Sequence, residues 1–143
     1  MTKPLGPEAQ SEILSAITAR LQMVLPAGWR HLQIDYTAVG DTVISGGLLR
    51  MENGGMVGVA LPEDVDERFG ALRAGMANPE TGAWLHATYR LDYPDAATVE
   101  YDRQQMPLWD DAPSGADCTR ELELYPRAAE FVPEWMRERL TSR

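Results

Sequence analysis

The sequence predicts an α+β fold, a mainly antiparallel sheet of about five strands covered by helices, in the order α-β-β-β-α-β-β-α-α. Three features point there. Apolar residues recur at helical spacing in some stretches, alternate with polar residues in others, and the alternating stretches are joined by short glycine-bearing turns. With 143 residues, 44% apolar and 24% charged, the chain has the size and composition of one folded domain spanning residues 1–143.

Residues 7–25 place Ile13, Ile17, Leu21 and Leu25 four apart, with Leu14 and Val24 beside them, which is the apolar stripe of a first helix. Pro26, Ala27 and Gly28 end it. From Trp29 to Val39 the period changes to two, with Leu32, Ile34, Tyr36 and Ala38 on one face and His31, Gln33, Asp35 and Thr37 on the other. A half-buried strand is expected. Gly40 and Asp41 turn the chain into a strand over residues 42–51, and an asparagine-glycine turn at residues 52–55 leads into a third over 56–60.

Pro62 suits a helix start because it lacks the orphan N–H, and Glu63, Asp64 and Asp66 favour the positive helix end. Val65, Phe69, Leu72 and Met76 form the core stripe of this second helix. Residues 78–82 break it. Residues 83–92 alternate again, with Leu85, Ala87, Tyr89 and Leu91 opposite Trp84, His86, Thr88 and Arg90, and a turn at 93–96 leads to a short strand over 98–102. A loop rich in proline and aspartate, 103–116, precedes a short helix capped by Asp117 and running to Leu124. Pro133 opens a last helix to Leu140.

The net charge of −9, from 22 acidic and 13 basic residues, disfavours nucleic acid and anionic lipid, which bind basic patches. A basic protein is the natural complement. The single cysteine, Cys118, has no internal disulfide partner and suits a reducing compartment. The N-terminus lacks the apolar core of a signal peptide, and no window approaches the ~20 apolar residues of a membrane helix. A cytoplasmic protein is expected.

For nucleophilic catalysis the candidates are Cys118 with His86 or His31, since a thiolate needs a nearby base. The competing reading makes Cys118 a small core residue, at helical spacing with Leu122 and Tyr125. The histidines lack the partners of a zinc site, and no H-E-x-x-H, cysteine pair, calcium loop or G-x-S-x-G elbow occurs. Asp110-Asp111 offers paired carboxylates for acid–base or hard-cation chemistry, or simply a solvated loop. Gly46-Gly47 and Gly54-Gly55 match neither a P-loop nor a dinucleotide fingerprint and read as turns or strand bulges. No metal or cofactor is expected.

Acidic residues concentrate from Asp92 to Glu123, where nine carboxylates meet only Arg103 and Arg120. This stretch is either a solvated edge or a surface that steers a basic partner. On the second view the partner-binding residues are Asp92, Asp95, Asp102, Trp109, Asp110, Asp111 and Asp117. Trp109, in a polar loop beside Pro107, is expected to be an exposed anchor, whereas core packing is expected of Trp135.

The C-terminal third carries Gly82-Ala-Trp84, then Val99-Glu-Tyr101-Asp102, Met106-Pro107, Glu121-Leu-Glu-Leu-Tyr125-Pro126-Arg127 and Val132-Pro133-Glu134-Trp135. This string resembles the YezG-like family of bacterial immunity proteins over roughly residues 82–140. The resemblance implies a cytoplasmic antitoxin that binds and blocks the toxic domain of a polymorphic toxin, a nuclease or an NAD-glycohydrolase-class enzyme. The motif residues themselves look architectural: Pro126 and Pro133 set helix boundaries, Trp84 and Trp135 pack over the sheet, and Arg127 pairs a carboxylate or a helix-end carbonyl.

The expectation is therefore a non-catalytic immunity protein acting by stoichiometric occlusion. Two alternatives stay open, an adaptor, chaperone or regulatory domain for a nontoxic partner, and an enzyme using Cys118 or Asp110-Asp111.

Overall fold

The computed structural model describes residues 5–141 and has the element order α1 (Pro7–Val24), β1 (Trp29–Val39), β2 (Thr42–Met51), β3 (Met56–Val59), α2 (Glu63–Gly75), β4 (His86–Asp92), β5 (Ala96–Asp102), α3 (Gly115–Leu124) and α4 (Glu134–Thr141). One turn of 3-10 helix, Ala129–Phe131, precedes α4. The five strands form a single antiparallel sheet in the order β3-β2-β1-β4-β5. No helix among the described residues is long and apolar enough to cross a membrane.

The alternation in β1 decides which face is buried. Leu32, Ile34, Tyr36 and Ala38 point inward and pack with Ile17 and Leu21 of α1, Val65, Phe69 and Leu72 of α2, and Tyr89 and Leu91 of β4. Fully burying each large apolar side chain contributes about 1.5–3 kcal/mol, so this inner face is the main source of stability. A second cluster, Val39, Leu85, Cys118 and Met136, joins α3 and α4 to the end of the sheet. Cys118 is thus a core residue.

Three expectations need correction. Trp84 does not stand on the outer face, because regular pairing begins only at His86; the chain enters β4 irregularly and sends the indole into the main core, fully buried. Gly46-Gly47 is neither turn nor bulge, since the β1–β2 ladder runs through it unbroken and its only register shift lies between Trp29 and His31. Gly47 is required for packing, as a Cβ there would stand 2.8 Å from Val59 Cγ2 and 3.2 Å from Leu32 Cδ1. The third helix starts two residues earlier than Asp117. Ser114 is its N-cap, and Asp117 closes a capping box by accepting from the Ser114 N–H while Ser114 Oγ accepts from the Asp117 N–H.

A buried ion pair ties the two clusters together. Arg73, from the last turn of α2, donates to Glu121 of α3, to the carbonyl of Trp84 at 3.0 Å and to that of Ala38 at 3.2 Å. Glu121 also accepts from the Gly40 N–H at 2.8 Å, so one carboxylate fixes the β1–β2 turn and α3 against α2. Gly40 has φ of 63°, and a Cβ on it would lie 2.6 Å from the Asp117 carbonyl oxygen. Arg127 donates to the carbonyls of Ala83 and of Phe131, the latter ending the 3-10 turn.

Candidate functional site

Helices α1 and α2 cover only the inner face of the sheet. The outer face of β1 carries His31, Gln33, Asp35 and Thr37, and strand register sets these beside Arg50, Leu48, Gly46 and Ile44 of β2, and beside Asp92, Arg90, Thr88 and His86 of β4. At the Thr37 end this face is closed by Trp109, whose indole N–H donates to Thr37 Oγ1 at 2.6 Å and whose ring packs on the second cluster. Beyond that point the face is open.

A groove of about 870 Å³ runs between the loop at residues 105–109 and β3. Its floor includes Ile44, Gly46, Leu48 and Gly58, and its wall includes Met106, Pro107, Leu108 and Trp109. Ile44 is 50% exposed, Leu48 49% and Leu108 98%, too much apolar surface in one place to be the scattered exposure normal on a monomer. Gly46 and Gly58 have no atom within 4 Å of where a Cβ would stand, so both leave dips in the floor.

The polar end of the groove is built around Asp35. His86 Nε2 lies 2.9 Å from Asp35 Oδ1, Thr88 donates to the same oxygen at 3.4 Å, and Gln33 donates to Oδ2 at 3.2 Å. Asp102 stands opposite His86 on β5, where its carboxylate accepts the N–H groups of Gln105 and Gln104. The Gln105 bond, aided by that of Gln104 and by nearby His86, outweighs desolvation and holds the Asp102 carboxyl below the usual range. This turn sets the direction in which the groove wall leaves the sheet.

The seven residues singled out in the sequence do not form one patch. Asp92 and Asp95 lie at the β4–β5 turn, Asp92 bonded to His31 Nδ1 at 2.7 Å, while Asp102 lies at the other end of the same hairpin. Six residues of strand separate those ends by about 20 Å. Trp109 is half-buried instead of exposed, and Asp117 is engaged by its capping box and by Thr42 at 2.8 Å. Asp110 and Asp111, directly after Trp109, are exposed. Of the seven, only Trp109 lines the groove; Asp102 is the register partner of the lining residue His86, and Asp110 and Asp111 follow Trp109 in the chain.

The catalytic candidates are placed apart. Cys118 sits among Val39, Leu85 and Met136, and burial foremost, with Asp117 beside it, pushes its thiol up to about 11. His86 faces the groove and is engaged by Asp35, and His31 by Asp92. Among the described residues, no group of three or more histidine, cysteine, aspartate or glutamate side chains is placed to hold a metal ion.

Sequence reasoning passed over Ile44, Leu48 and Leu108, and read Gly46 as part of a turn or bulge. A signal was present, since Val43-Ile44 and Leu48-Leu49 put apolar residues on both faces of β2, where a strand with one wet face would alternate. No family model matches the chain, and no curated protein matches it.

Proposed function

We propose that this chain is an immunity protein, which binds a toxin domain in the cytoplasm and blocks it by stoichiometric, non-catalytic occlusion. The open outer face of the sheet is the observation that carries this reading. A largely apolar floor with one carboxylate, Asp35, at its polar end suits a desolvated protein interface with a charged margin. The net charge of −9 complements a basic partner and speeds its encounter. The likeness of residues 82–140 to YezG-like immunity proteins supplies the partner class, a toxin of nuclease or NAD-glycohydrolase type.

Co-expression with the toxin encoded by the neighbouring gene is expected to restore growth, and the two purified proteins to elute together in gel filtration. Absence of both rescue and complex would refute the proposal. A complex with a neighbour that is harmless when expressed alone would favour an adaptor or chaperone instead.

A further inference from the structure

Resting on that reading, we infer that the groove receives a lysine or arginine of the partner, its aliphatic stem lying in the dip at Gly46 and its charged head reaching Asp35. Gly46 and Asp35 are direct register partners, so their Cα atoms are about 4.5–5.5 Å apart and both point to the outer face. The dip is flanked along β2 by Ile44 and Leu48, apolar surface against which a methylene stem packs. The acid stands at its edge.

Asp35 has capacity left for such a head. A carboxylate offers about four acceptor positions, and His86, Thr88 and Gln33 use three. Its neighbours hold the carboxylate in place before binding, which lowers the ordering cost of a charge-assisted bond. The nearby cation on β4, Arg90, is paired with Glu100 at 3.6 Å, while Asp102 stands opposite His86 and Asp110 and Asp111 follow the groove wall in the chain. A neutral apolar segment would fill the floor but leave Asp35 desolvated without a new partner.

The test is the affinity of the full chain for the purified, active-site-inactivated toxin from the neighbouring gene, measured across a salt series. Gly46→Leu fills the dip with no backbone obstacle, because nothing lies within 4 Å of the new Cβ. Asp35→Asn removes the charge at a half-exposed position. Far-UV circular dichroism and unfolding midpoints establish that both variants fold. Each is expected to weaken binding by at least about tenfold, the scale of one anchor residue. Asp35→Asn is also expected to flatten the salt dependence.

Wild-type-like affinity and salt dependence in both folded variants would overturn the groove assignment while leaving the immunity reading intact. Absence of any complex with the wild-type chain would overturn both. Self-association of the wild-type chain that Gly46→Leu abolishes, with toxin binding unchanged, would assign the face to a second copy and overturn the inference.

Discussion

Replacing Arg73 by methionine tests the buried charge pair directly. The Arg73 side chain is 5% exposed and that of Glu121 fully buried, so the substitution strands an ionised carboxylate in the interior and removes the donor to the Ala38 and Trp84 carbonyls. Breaking a buried pair from one side costs about 3–5 kcal/mol. A domain of this size is stable by about 5–15 kcal/mol, so the variant loses between about a fifth and all of its stability. Urea unfolding followed by circular dichroism reads this as a lowered midpoint at unchanged slope. The double variant Arg73→Met/Glu121→Leu removes the stranded charge. It is expected to lose at least about 1 kcal/mol less than the sum of the two single losses, the coupling typical of contacting residues. A cost below about 1 kcal/mol for Arg73→Met, or strictly additive losses, would refute the claim that this pair holds α2, α3 and the β1–β2 turn together.

Three further outcomes follow from the same geometry. Gly40→Ala is expected to cost more than about 1–3 kcal/mol in thermal unfolding, because a positive φ is combined with a contact to the Asp117 carbonyl. Alkylation of Cys118 in the native protein is expected to be slow at pH 8 and still accelerating above pH 9, since its thiol titrates at about 11; denaturant should restore the rate of an ordinary thiol. Asp102 is depressed in the fold, so its stabilisation is present above its unfolded value near ~3.9 and is lost as pH falls through the folded value. Asp102→Asn should therefore flatten the acid limb of stability against pH, and an unchanged limb would contradict the turn described for Gln104 and Gln105.

Most of the fold was legible because its cause is periodic. The stripe Ile13, Ile17 and Leu21, and the alternation through Leu32, Ile34 and Tyr36, depend on residues a few places apart, and the structure buries the expected side. The irregular features depend on partners distant in sequence. Nothing near Arg73 shows that its charge is buried, because Glu121 lies in another helix. Trp84 was assigned to a face by extending an alternation two residues beyond where pairing starts. The acidic stretch suffered the same way: consecutive carboxylates look like one patch along the chain, yet a hairpin carries Asp92 and Asp102 to opposite ends. Gly46 reads as a break in sequence and serves as a gap on a flat surface.

The position of β1 in the middle of the sheet has a consequence for how the chain folds. Its pairing with β2 needs only the Gly40-Asp41 turn and is expected within microseconds, whereas its other edge waits for β4. Closing that second ladder brings Thr37 to His86 across roughly fifty intervening residues, an entropic cost met before the contact is gained. During synthesis, the nascent hairpin therefore presents an unpaired edge bearing Leu32 and Ile34 until β4 has left the ribosome. The late strand, not the early helix, completes the central strand's pairing.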